Sequence, residues 1–230
     1  MSVLIEVFQK YSGMFGQSML ITICLSICTV LFSVLFGSLL AFMKISKQKV
    51  LKTIAGIYVE FIRGTPLLVQ VYMVFYGLPL LGIRFPTISI MGTDFEKMFS
   101  GVLALVINST AYVCEIVRGG ILSIDGGQTE AARSIGFNKF QSMLYIVFPQ
   151  AFKNILPSLG NEFVSVIKNS SQVSVIGLAE LMYTTNTIRA ISFKSFEPLI
   201  IVSILYFILT FIISTVIKQM EVRLAVSNRG

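Results

Sequence analysis

From residue 19 to residue 42 the chain reads MLITICLSICTVLFSVLFGSLLAF, with no charged side chain. A helix crosses the hydrocarbon core of a bilayer with about 20 apolar residues, so this stretch by itself points to a membrane. Residues 54–81, 99–117 and 199–217 are of similar character. A fifth segment, 149–168, carries Lys153, Asn154, Asn161, Glu162 and Lys168, and protein or water must cover its polar side. The expectation is an all-α integral membrane protein with about five transmembrane helices, forming one domain over residues 1–230. The whole composition agrees, at 55% hydrophobic and 13% charged residues.

The net charge of +7 is spread in short runs beside the spans. Anionic lipid and topology account for it, and no nucleic-acid partner is expected. Lys44, Lys47, Lys49 and Lys52 follow the first span with no acid among them, whereas the next loop balances Arg84 and Lys97 against Asp94 and Glu96. Arg118, Arg133 and Lys139 follow the third span, and Lys218, Arg223 and Arg229 lie in the tail. Alternate loops are thus basic, which puts the N-terminus outside and the C-terminus and residues 122–140 in the cytosol. Residues 1–17 carry Glu6 and lack the basic start and cleavage site of a signal peptide, and they read as a short interfacial helix. Residues 171–196 lie outside and are too long for a simple turn; with an apolar core at 173–183, they read as a re-entrant or surface gate-like segment.

Several chemistries are excluded. No Gly-Lys dipeptide occurs, so there is no phosphate-cradling P-loop and any use of ATP belongs to another chain. There is no His, and Cys24, Cys28 and Cys114 fall within apolar spans and read as small buried apolar thiols, so neither a metal site nor a disulfide is expected.

The stretch EAARSIGFNKFQSMLYIVFP, residues 130–149, is the most ordered-looking loop. Asp125 or Thr129 can cap a helix beginning near Gly127, Ala131 and Ala132 give it a narrow face, and Gly136 permits a left-handed stop. It is either a docking surface or an ordinary connector. Glu130, Ala131, Ala132, Gly136, Ile146 and Pro149 match the EAA motif of importer-type ABC transporter permeases, with Phe148 in place of the usual Leu. YVEFIRGTPLLVQVYMVFYGLP, NSTAYVCEIVRGGI and LPSLGNEFVSVIKNSSQVSVIGLAEL resemble the polar amino acid subfamily, and the resemblance covers most of the chain from Thr22 onward.

The resemblance implies a permease in the plasma (inner) membrane of a prokaryote, paired with a second permease as a homodimer or heterodimer. Glu130, Ala131, Ala132 and Gly136 would dock on a dimer of ABC ATPase subunits. Those subunits would hold the ATP and Mg, with no cofactor in this chain and no enzymatic activity of its own. An extracytoplasmic binding protein would deliver a polar amino acid.

Asn154, Ser158, Asn161, Ser165 and Lys168 recur at helical spacing, as do Asn108, Tyr112 and Glu115. Each stripe either lines the pathway or holds spans together. A lysine at mid-membrane costs about 2.5 to 3.5 kcal/mol on insertion scales, so Lys168 is not expected to face lipid. Lys168 is the candidate for the substrate carboxylate, and Glu162 or Glu115 for its ammonium. Members of the subfamily that carry cationic amino acids often have Asp after this Lys; Asn169 inclines this chain toward a neutral or weakly charged polar substrate. Glu60 with Arg63, and Glu115 with Arg118, sit one turn apart and can pair as a cytosolic gate or serve as interfacial anchors. Pro66 can kink its span. Ser18, Thr22, Ser26, Thr29, Ser33 and Gly37 form a small-residue stripe suited to close helix packing. Tyr72, Phe75 and Tyr76 suit an aromatic belt. The alternative is an ion-gradient-driven secondary amino acid transporter using Glu115, Glu162 and Lys168, against which five spans per chain and the loop motif argue.

Overall fold

The computed structural model describes residues 2–83 and 85–226; Arg84, Arg229 and the side chain of Arg223 lie outside the described residues. Helix α1 (Ser2–Ile45) runs from the N-terminus through the first span. Tyr11 has non-helical geometry (φ −114°, ψ 15°), so α1 is two helices joined at a kink, and the opening turns before Tyr11 are set off from the span yet held against the bundle. The reason is packing: Val7 and Phe15 are buried in a cluster with Leu181, Ile188, Ile201 and Val202.

The single span expected over 54–81 is two helices, α2 (Lys49–Arg63) and α3 (Leu67–Leu80), bent by 107°. Pro66 lacks an N–H and drives the residue before it out of the helical region, which ends α2 and frees backbone carbonyls. Gln70 Nε2 takes up those of Ile62 at 2.8 Å and Thr65 at 3.1 Å, and also donates to the Thr65 hydroxyl at 2.8 Å. The Thr65 hydroxyl in turn donates to the Phe61 carbonyl at 3.0 Å, so two side chains serve the elbow.

A short hairpin, β1 (Ser89–Ile90) and β2 (Thr93–Asp94), leads into α4 (Phe95–Leu122). Two small helices follow, α5 (Gly126–Ser134) and α6 (Lys139–Ser142). A π-helical turn over Met143–Val147 then feeds α7 (Phe148–Asn169). The apolar core read at 173–183 opens in a 3₁₀ turn (Ser170–Ile176) stopped by left-handed Gly177, and α8 (Leu181–Ser192) begins only afterwards. Helix α9 (Glu197–Val226) closes the described chain.

Among the described residues three helices are long and apolar enough to cross a membrane: Val3–Ile45, Phe95–Leu122 and Glu197–Glu221. The α2–α3 pair qualifies only as a broken span, and α7 has the length without the apolarity.

Helices α1 and α4 lie side by side in the same direction, since Gly37 meets Val113 and Lys44 meets Glu115. Ser18, Thr22, Ser26, Thr29 and Ser33 are all buried along α1. A Cβ on Gly37 would stand 2.7 Å from Val113 Cβ, and one on Gly160 of α7 would stand 2.5 Å from Ile217 Cγ1 of α9. Lipid is as apolar as a leucine side chain, so helices in it gain by close backbone approach, which small residues permit.

Candidate substrate pathway and coupling surface

The loop 122–140 is built by caps. Asp125 Oδ1 accepts from the Gly127 N–H at 2.8 Å, which opens α5. At its far end Gly136 takes a φ of 96° and the Phe137 N–H returns to the Ala132 carbonyl at 3.1 Å. Asn138 and Gln141 then form a reciprocal capping box, both bonds at 2.9 Å, that starts α6. Ala132 is 3% exposed, while Glu130 and Ala131 face outward. Around them stand Ile135 and Phe140, 75% and 73% exposed, and the exposed Tyr145. These apolar side chains received no role from sequence reasoning; an apolar residue at each tip of a polar loop is the signal for them.

On α4, Asn108 is 6% exposed and donates to Gln70 Oε1 at 2.9 Å, so it braces the elbow rather than facing an opening. Tyr112, one turn further along α4, is 38% exposed, with the Arg63 guanidinium 5.6 Å from its ring centroid. No ion pair joins Arg63 to Glu60 among the described residues, and Glu60 is exposed. Glu115 does pair with Arg118, at 2.8 Å, and also with Lys44 of α1, at 2.5 Å. With two cations on it, Glu115 is a clamp between α1 and α4 and is not available to a substrate ammonium. Lys44 entered the sequence reading only as a topology charge.

Helix α7 presents two polar faces. Glu162 points at α4, where Oε1 accepts from the Ser109 hydroxyl at 2.7 Å. The second face carries Asn154, Asn161 and Lys168, all exposed, with Asn154 donating to the Ser123 hydroxyl at 3.0 Å. Lys168 lines a cavity of about 500 Å³ with Ser171, Ser203, Tyr206 and Thr210. Glu162 and Lys168 are thus turned to different neighbours and do not converge on one ligand within the chain. Asn169 is half-buried beside Lys168.

Glu180, to which no role was given, is fully buried and caps α8, accepting from the Met182 and Tyr183 N–H groups at 2.9 and 2.8 Å. It also accepts from the Tyr206 hydroxyl of α9 at 2.7 Å. Glu is an uncommon cap, which is why the residue before Leu181 did not stand out.

Residues 33–226 match the family of binding-protein-dependent transport system inner membrane components. This chain belongs to that family. As an inner membrane component it has similar relatives along almost its whole length. A putative glutamine transport system permease protein of Rickettsia bellii is 36% identical over 211 residues, covering 92% of this chain and 93% of the relative. An arginine transport system permease protein of Bacillus subtilis is 36% identical over 208 residues, covering 90% and 91%. Among solved structures, an amino acid ABC transporter crystallised with histidines superposes with a TM-score of 0.85 at 42% identity, over 94% of this chain and 96% of that one. A methionine ABC transporter in inward-facing conformations has a TM-score of 0.76 at 14% identity over 94% and 98%, and so shares the fold.

Proposed function

We infer that this permease carries the translocation pathway of an ATP-driven importer of polar amino acids. It works as one half of a permease dimer that alternates between outward-facing and inward-facing states. The relatives named for glutamine and arginine support the substrate class, and Asn169 inclines it to neutral polar side chains. ATP and Mg belong to a partner ATPase dimer, and an extracytoplasmic binding protein delivers the substrate.

The observation that carries this reading is the continuous packed path from the exposed Glu130 face to the polar faces of α7. Helix α5, with Ala132 buried, packs against the π-helical turn, which runs without a break into α7. A push on the loop by a partner therefore moves Asn161, Glu162 and Lys168 together. The exposed Ile135, Phe140 and Tyr145 give that partner apolar area to bury around Glu130.

Within the pathway, Glu162 is the better ammonium partner, since its Oε2 has no hydrogen-bond partner among the described residues and Glu115 is occupied. Asn154, Asn161 and Lys168 would be lipid-facing in a lone chain. A second permease across a two-fold axis covers them and encloses the pathway. Lys168 keeps its role toward the carboxylate in that shared space. The pair Glu115–Arg118, extended by Lys44, and the Arg63–Tyr112 stack form the inner gate, with Glu60 at its rim.

The test is uptake of labelled amino acids into vesicles holding the permease with its ATPase. Uptake is expected to need ATP and to fall to background with Glu130→Lys. Uptake that follows a proton or sodium gradient and ignores both ATP and the substitution would overturn the reading in favour of a secondary transporter.

A further inference from the structure

Glu180 is fully buried, and no ion pair among the described residues includes it. Burying a carboxylate costs more than burying the serine or threonine hydroxyl that caps a helix as well, so the cap of α8 alone does not account for a glutamate here. What the longer side chain adds is reach. While Oε1 takes the Tyr183 N–H, Oε2 takes both the Met182 N–H and the hydroxyl of Tyr206, 26 positions away on α9. Packing holds α8 without that last bond. Leu181 and Ile188 are fully buried in a cluster with Phe15, Ile201 and Val202, and the Leu181 N–H donates to Thr22 Oγ1 of α1 at 3.2 Å.

Tyr206 faces two ways. Its hydroxyl goes to Glu180, while its side chain lines the Lys168 cavity with Met182 of α8 and with Ser203 and Thr210 of α9. Ser203, Tyr206 and Thr210 recur at helical spacing on a largely apolar helix. Ser203 and Thr210 donate to carbonyls of α9 itself, so Tyr206 is the member of this stripe that is tied to another element. Glu180 does not line the cavity, and no carboxylate pairs with Lys168 among the described residues.

We propose that Glu180 is a positioning residue for the substrate, fixing the Tyr206 ring in the wall of the Lys168 cavity and joining that wall to the start of α8. The inference rests on the reading of Lys168 as the partner of the substrate carboxylate. A binding site keeps its geometry only where its own side chains are held by neighbours, and Glu180 is what holds the Tyr206 hydroxyl. Released from Glu180, the ring is free to turn into the cavity and take space from a ligand on Lys168.

Equilibrium binding to the permease purified with its ATPase tests it, with labelled glutamine, arginine and histidine as probes and thermal unfolding of the same samples. Tyr206→Phe removes the hydroxyl and keeps the ring. Glu180→Asp keeps a good cap but is one carbon too short to reach Tyr206. Each is expected to raise Kd about tenfold with little change in unfolding temperature, and the double variant to raise it no further, because all three lack the same bond. Should Glu180→Asp fail to fold, Tyr206→Phe carries the comparison. A lowered unfolding temperature with Kd unchanged would overturn the proposal and leave Glu180 a structural cap. Effects of the two substitutions that multiply in the double variant would overturn it as well. Lys168→Gln separates this inference from the reading beneath it. Unchanged Kd in Lys168→Gln, or no binding of any probe by the wild type, would overturn that reading and the inference with it. Lost affinity in Lys168→Gln beside unchanged Kd in Tyr206→Phe would overturn the inference alone.

Discussion

At the residue scale the buried polar side chains divide by whether their bonding is complete. Gln70 is complete: its Nε2 donates to the Ile62 and Thr65 carbonyls that the elbow leaves open, and its Oε1 accepts from Asn108. Removing Gln70 or Asn108 strands a buried acceptor, so Gln70→Ala is expected to cost about 1 to 3 kcal/mol. The double variant with Asn108→Ala should cost less than the sum of the singles, as thermal unfolding in detergent would read. Glu162 is incomplete, with one hydroxyl on a carboxylate that can accept several bonds. Glu162→Gln keeps the Ser109 contact and removes the charge, so KM for ATP-dependent uptake should rise by about tenfold or more with the fold intact. An unchanged KM would remove Glu162 from the substrate. Composition and spacing made Glu162 and Asn108 look alike as polar residues in spans. Only the neighbours distinguish them, Gln70 from another helix taking a hydrogen bond from the Asn108 amide.

At the element scale, what local chemistry writes was readable beforehand. The start of α5 at Asp125, its end at Gly136 and the packing stripe on α1 all rest on residues within a turn or two of one another. The elbow between α2 and α3 was half-readable, because Pro66 marks a kink but a sequence does not state an angle of 107°. The Gly160 crossing was not readable, since its partner Ile217 is remote in the chain. Gly160→Val would overlap that side chain and is expected to destabilise by about 1 to 3 kcal/mol. Adding Ile217→Ala should restore most of the loss; no restoration would mean that the crossing is not what makes Gly160 necessary.

At the scale of the whole molecule, Asn154, Asn161 and Lys168 on α7 are left exposed by the described residues. In a dimer with this face of α7 at the two-fold axis, Asn161→Cys in each copy should cross-link in one nucleotide state and not in the other. A cross-link yield independent of nucleotide would argue against alternating access through this face. Glu130→Cys should react with a membrane-impermeant thiol reagent in inside-out vesicles and not in intact cells, and the reverse would invert the topology read from the lysines.

The sequence by itself determined the membrane class, the lack of a P-loop motif and the capped helix in the loop at 122–140. Each of these depends on composition or on residues close in the chain, where hydropathy, capping and missing motifs act locally. Tertiary structure decided which polar groups are spent and which are free: Glu115 clamped by Lys44, Asn108 by Gln70, and Glu162 and Lys168 turned apart on one helix. Those outcomes depend on which helices are neighbours, and a hydrogen bond across 38 or 71 positions leaves no mark in spacing.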